Sequence, residues 1–168
     1  MPKKITVNDD IQKNYSYEIV ARYGADFQKG FEPQLTPKQM LELGVFGGYY
    51  LNDCISEYPK DWFENARLSD HGPDAKYNYF EVTASQPLKV WQEKGWIYPD
   101  DPRGWFQWYC RYFVGRRIPT EDQRQIKRWV AMKRHTTQLR NACIPGDLTC
   151  RRRQRQAVMH WSYDSRKI

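Results

Sequence analysis

Short apolar groups, broken by glycine and proline, run along most of this chain. The sharpest boundary is Leu35-Thr36-Pro37-Lys38-Gln39-Met40. Thr36 stands as N-cap, Pro37 at the first helical position and Gln39 three residues on, the arrangement of a capping box. That helix stops at Gly44, and Val45-Phe46-Gly47-Gly48-Tyr49-Tyr50 predicts a tight turn. A short helix through Leu51 to Cys54 is expected next. Another follows Pro59 over Asp61–Leu68, with Trp62, Phe63 and Ala66 inward. Residues 69–83 read as a loop with a strand signal at Tyr77–Val82. Ser85 caps a helix that turns Leu88, Val90 and Trp91 inward and ends at Gly95.

Three more helices are predicted downstream. Pro99-Asp100-Asp101-Pro102 is a turn whose Asp101 caps a helix with Arg103–Arg116 as its body. Rings at Trp105, Phe106, Trp108, Tyr109, Tyr112 and Phe113 surround that helix and mark it as central. Thr120 caps Glu121–Asn141, with Glu121 and Asp122 suited to a positive helix start. Leu148–Ser165 is the last helix, with Cys150, Gln154, Ala157, Val158 and Trp161 on its inner stripe and Arg151, Arg152 and Arg155 off it. Residues 1–34 are polar and broken, with a short strand signal at Ile19-Val20-Ala21. The pattern predicts a mainly α protein: an irregular N-terminal arm over 1–34 packed on a single compact domain of about six or seven helices over 35–168.

Composition adds rings and thiols to this picture. The 168 residues include 7 Trp, 12 Tyr and 7 Phe, so aromatic side chains must fill much of the interior. Their N–H and O–H groups require polar partners in the core. No apolar run approaches a membrane span. No hydrophobic stretch follows Met1-Pro2-Lys3-Lys4, which predicts an intracellular, soluble protein, cytoplasmic or nuclear. Cys54, Cys110, Cys143 and Cys150 suit a reducing compartment as core residues, while the Cys143–Cys150 spacing also suits a short disulfide loop. His135, Cys143 and Cys150, with Cys110 or His160, include zinc-ligand types, but their spacing is poor for a ribbon or finger. No metal and no cofactor is expected.

Charge changes the picture most. Residues 102–168 hold 16 Lys+Arg against 4 Asp+Glu, whereas residues 1–101 hold 11 against 16. A segment this basic points to a polyanionic partner, nucleic acid first. Arg151-Arg152-Arg153-Gln154-Arg155 is its densest run, and Arg124, Lys127, Arg128, Lys133 and Arg134 stand on the preceding helix. Arg124, Lys127, Arg128, Arg151, Arg152 and Arg155 are the candidate phosphate contacts, since guanidinium forks match phosphate oxygens. The alternatives are a solvated face, or a nuclear-import patch. Trp105, Trp108, Tyr109 and Tyr112 interleave with Arg103, Arg111, Arg116 and Arg117, as in a single-strand platform. A simple aromatic core explains the same rings. Trp96, Tyr98 and Trp161 are the other candidates for an exposed ring.

Several stretches form a distinctive pattern: Leu35-Thr36-Pro37 through Gly44-Val45-Phe46-Gly47-Gly48, Ala84-Ser85-Gln86-Pro87-Leu88 with Gly95-Trp96-Ile97, and Asp101-Pro102-Arg103-Gly104-Trp105-Phe106-Gln107-Trp108-Tyr109-Cys110-Arg111-Tyr112. Gln125-Ile126-Lys127-Arg128-Trp129 and the stretch from Pro145-Gly146-Asp147 to His160-Trp161-Ser162-Tyr163-Asp164-Ser165-Arg166 belong with them. Together they resemble a family of small uncharacterised proteins of bacteria and eukaryotes over residues 31–167. That resemblance implies an intact domain and brings no catalytic residue.

No phosphate-loop, dinucleotide-binding, zinc-protease or nucleophile-elbow motif is present. His160 with Asp164, and His135, are the candidate acid–base groups of an enzyme acting on a nucleic-acid or phosphorylated substrate. The leading expectation is a nucleic-acid-binding protein without catalysis. A protein-interaction module, whose basic face meets an acidic protein or packs the acidic residues of 1–101 within its own fold, is the third reading. The leading one requires the arginines past the midpoint to stay without internal partners.

Overall fold

A computed structural model describes residues 2–84, 88–95 and 97–168. Two five-residue strands open the chain, β1 (Lys3–Val7) and β2 (Tyr15–Ile19), paired antiparallel with Ile5 opposite Tyr17 and Lys4 opposite Glu18. The polar residues between them build the turn. Asp9 Oδ1 accepts the N–H groups of Ile11 and Gln12, and Asn8 Oδ1 accepts that of Asn14, whose φ is 56°. The N-terminal segment is therefore a hairpin at its start, not irregular throughout.

Helices follow as α1 (Pro37–Leu43), α2 (Leu88–Glu93), α3 (Trp105–Val114), α4 (Pro119–Ala131), α5 (Lys133–Ala142) and α6 (Arg152–Met159). Helical residues, 3-10 turns included, make up 40% of the described residues, and a sheet is present as well. The expectation of a mainly α domain of six or seven helices is thereby corrected: a sheet is present, the helices expected over Leu51–Cys54 and Asp61–Leu68 do not form, and the six named arise only because one expected helix divides in two. The physical reason lies in residues 44–84, where glycine and proline recur. Asp61–Leu68 yields a 3-10 turn at Lys60–Trp62, and the strand signal near Tyr77 yields another at Ala75–Tyr77. Ser85, Gln86 and Pro87, read as the start of α2, lie outside the described residues.

The backbone divides into two units. The first comprises Met1–Glu32, Leu51–Lys60 and Gln86–Ile126. Its centre is α3, buried from Trp105 to Phe113 as the ring density predicts. Phe31 packs 5.6 Å from Trp108 and 5.7 Å from Tyr109, centroid to centroid. Trp108 Nε1 donates to Asp122 Oδ1 at 2.8 Å, so the buried indole is satisfied. Helix α3 ends at Gly115, whose φ of 121° and contact with the Ala21 carbonyl leave no room for a Cβ. Asp101 does not cap this helix. Gly104 is its N-cap, and Asp101 is buried between two arginines.

The second unit comprises Pro33–Tyr50, Asp61–Ser85 and Lys127–Ile168. Helix α1 has the predicted capping box, Thr36 Oγ1 accepting Gln39 N–H and Gln39 Oε1 accepting Thr36 N–H. Gly44 ends it at φ 82°, pressed against the Tyr77 carbonyl. Met40, Val45, Trp62, Leu139, Val158 and Met159 form the apolar centre. The helix expected over Glu121–Asn141 breaks at Met132 into α4 and α5. The Trp129 carbonyl there accepts Met132 N–H in a tighter turn and also the Tyr163 hydroxyl. Among the described residues no helix is long and apolar enough to cross a membrane.

Candidate nucleic-acid interface

Helices α5 and α6 are joined by Cys143–Pro145-Gly146-Asp147–Arg151, a loop closed by a Cys143–Cys150 disulfide with Cα atoms 5.8 Å apart. The core-thiol reading fails for these two residues, and the bond removes both from the zinc-ligand set. Cys54 and Cys110 remain free and buried. Within the loop, Asp147 Oδ1 accepts the N–H and hydroxyl of Thr149 at 3.1 and 2.6 Å. Those bonds hold its carboxyl below the usual range. Across the helices, Gln154 Nε2 donates to Gln138 Oε1 at 2.7 Å and lies 3.2 Å from His135 Nδ1. Burial lowers the His135 pKa, and the neighbouring Arg134 charge lowers it further.

Around this helix pair the cations divide by partner. Residues 127–168 carry 11 Lys+Arg against 2 Asp+Glu. Lys127, Lys133, Arg134, Arg140, Arg151, Arg152 and Arg153 are exposed, and among the described residues none of them pairs with a carboxylate. Lys133 Nζ lies 5.2 Å from the Trp129 ring centroid, and Arg152 donates to the Phe80 carbonyl. Arg151 adopts φ 52° before the first turn of α6 and reaches Gln154 Oε1. The half-buried Arg128 guanidinium lies 5.2 Å from the Trp161 ring centroid. Arg140 is the addition that sequence reasoning missed. It stands two helical turns after Lys133, a spacing that was readable.

Two predicted contacts are withdrawn from this surface. Arg155 is fully buried. It donates to the carbonyls of Cys150, Ser165, Ile168 and Asp147 at 2.7, 2.7, 2.9 and 3.0 Å, so its fork clamps the loop and the C-terminal turn. Arg124 belongs to the first unit, where Glu121 holds it bidentately at 2.8 and 2.7 Å. Beside Arg155, the buried Gln156 accepts Phe80 N–H and donates to the Val45 carbonyl at 3.1 and 3.0 Å. The densest basic run thus ends in a structural clamp, Arg155, with a second at the next residue, Gln156.

The acid–base candidates do not meet in a catalytic arrangement. Helix α6 ends at Met159 and Ser162 takes φ 65°, so His160 and Asp164 never share a helical face. His160 stacks on Phe46 at 5.0 Å and donates through Nε2 to the Val45 carbonyl at 2.9 Å. Burial lowers its pKa to about 4, which keeps it neutral. Asp164 is held below the carboxylate range by the Arg166 guanidinium, which it accepts at 2.8 Å through each oxygen.

The ring-and-arginine helix is core, not platform. Arg111 is fully buried and donates to Glu57 Oε1 at 2.7 Å and Asp101 Oδ1 at 3.0 Å, while Arg116 grips both Asp101 oxygens at 2.7 and 2.6 Å. Burial alone would lower the Arg116 pKa, but its bonds to Asp101 raise it on balance. Arg103 reaches Asp53 Oδ2 at 2.7 Å. Trp129, Trp161 and Tyr163 are buried, Tyr98 is half-buried, and Trp96 lies outside the described residues. No family model, curated protein or solved structure matches the chain.

Proposed function

We propose that this protein binds nucleic acid through the exposed cations of α5, α6 and the last turn of α4, by contacting phosphates. The carrying observation is the set of seven exposed Lys and Arg side chains between Lys127 and Arg153 without carboxylate partners. Leaving that many like charges unpaired costs stability through self-repulsion, and a polyanion relieves it. The rings of this region are buried, so the contact rests on the phosphate backbone and carries little base selectivity. Binding should therefore be steeply salt-dependent. With about five phosphates neutralised, log K falls against log salt with a slope of about −4.5 on duplex DNA.

Fluorescence anisotropy of labelled DNA and RNA oligonucleotides, repeated across a salt series, tests this. Replacing Arg151, Arg152 and Arg153 together by alanine should weaken binding at least about tenfold and flatten the slope by two to three, at about one per phosphate contact. Lys29→Ala, at an exposed position of the first unit, should change neither. Absence of binding at low salt, or an unchanged slope in the triple variant, overturns the proposal.

A further inference from the structure

The first unit contains a cleft of about 600 Å³, lined by β1, the start of the hairpin turn and residues 53–59. Asp9, Cys54 and Glu57 all line it. One ligand-type atom from each, two carboxylate oxygens and a thiol sulfur, lie within 4.8 Å of one another. The Asp9 and Glu57 side chains are 2% and 4% exposed, and Cys54 is buried.

Asp9 supplies an independent observation that points to a ligand. Its Oδ1 is used by the N–H groups of Ile11 and Gln12 and lies 3.4 Å from Arg103 Nη2. Its Oδ2 is buried and meets no donor. A buried carboxylate oxygen without a partner is costly, so such an atom asks for a cation or a bound donor.

Charge indicates which. In the ion-pair cluster Asp9, Asp53, Glu57 and Asp101 meet Arg103, Arg111 and Arg116, an excess of one negative charge, while Lys3 and Lys4 line the cleft from exposed positions. Deprotonated Cys54 would make it two. A divalent cation brings the cluster to neutrality. Two carboxylate oxygens with one thiolate are a mixed hard and soft set, the kind a borderline ion such as zinc accepts and magnesium or calcium does not.

We infer that Asp9, Cys54 and Glu57 form a binding site for a zinc-like divalent cation, tying the hairpin turn to residues 54–57. On binding, the Cys54 S–H proton leaves to solvent and a metal–sulfur bond takes its place, with no change of oxidation state. Glu57 Oε1 accepts Arg111 Nε at 2.7 Å and the Tyr17 hydroxyl at 2.9 Å, and Oε2 accepts Arg111 Nη2 at 3.3 Å, the long bond that an ion would replace or share; the cleft gives solvent access to complete the coordination.

The untagged full chain, stripped with a chelator, should be titrated with Zn²⁺ by calorimetry and with Co²⁺ by absorption. The expected result is one ion per chain and a near-ultraviolet thiolate-to-cobalt band. That band should vanish in Cys54→Ser and persist in Cys110→Ser. Asp9→Asn should weaken Zn²⁺ affinity at least about tenfold, since one anionic ligand is lost. Alkylation of the unaltered protein, mapped by peptide mass, gives a reading independent of any variant's folding: Zn²⁺ should protect Cys54. No stoichiometric ion, a cobalt spectrum without a thiolate band, or Cys54 alkylated equally fast with and without Zn²⁺ overturns the site.

Discussion

Arg155 shows how little a charge count reveals about a single side chain. Its four hydrogen bonds go to main-chain oxygens of Cys150, Ser165, Ile168 and Asp147, and no side-chain carboxylate bonds to it among the described residues. Lysine retains the charge but not the fork, so Arg155→Lys should leave buried main-chain acceptors unmet and lower stability by about 3 kcal/mol in urea denaturation. In the sequence this residue was indistinguishable from Arg151, Arg152 and Arg153. Hydropathy places any arginine outside, and only the main-chain oxygens converging from the loop before α6 and the turn after it bring this one in. His160 carries the second residue-scale prediction. Its folded pKa lies near 4 against 6.5 for an ordinary imidazole. The unfolded chain therefore takes up a proton first as pH falls. The stability from keeping His160 neutral is whole above pH 6.5 and is lost progressively toward pH 4, by about 3 kcal/mol. His160→Gln, whose amide donates to the same Val45 carbonyl, should lose less over that interval when both proteins are denatured at several pH values. Asp53 and Asp164, with depressed pKa values, contribute equally to the two profiles.

Among the elements, those with chemical punctuation were legible. Thr36, Pro37, Gln39 and Gly44 define α1 at both ends, and the ring density of α3 announced a buried helix. The hairpin was missed although Ile5/Val7 and Tyr15/Tyr17/Ile19 alternate correctly. Its turn is long and held by Asp9 and Asn8 side chains rather than by a two-residue glycine turn. The break at Met132 had no sequence signal, because it depends on a tyrosine hydroxyl from more than 30 residues away, Tyr163. The disulfide between α5 and α6 carries the element-scale prediction. Closing so short a loop restricts the unfolded chain by about 2.5 kcal/mol. A Cys143→Ser/Cys150→Ser variant should be less stable by about that amount in urea. Reductant should destabilise the parent to the same degree and leave the variant unchanged. An unchanged midpoint in both would show that the crosslink adds nothing.

At the scale of the molecule, the charge asymmetry of the sequence resolves into two fates. Arg103, Arg111 and Arg116 are taken up by Asp9, Asp53, Glu57 and Asp101, acids of the first 101 residues, so this part of the basic excess is spent inside the fold. After residue 126 acids are few: Arg155 is buried and Arg166 pairs with Asp164, while Lys127, Lys133, Arg134, Arg140, Arg151, Arg152 and Arg153 stay exposed. A count along the chain cannot separate these fates, because pairing is decided by residues that meet only on folding. Of the six candidate contacts read from the sequence, Lys127, Arg151 and Arg152 are exposed, Arg128 is half-buried, Arg124 is held by Glu121 and Arg155 is buried, so availability at the surface was half legible. The segment between Cys143 and Cys150 is exposed along Ile144, Pro145, Gly146 and Asp147, and Ile144 is 76% accessible. A protease that cuts there severs the backbone but frees no fragment, because sulfur still bridges the two ends. The nicked chain would migrate as one species until a thiol reagent parts the last helix from the rest.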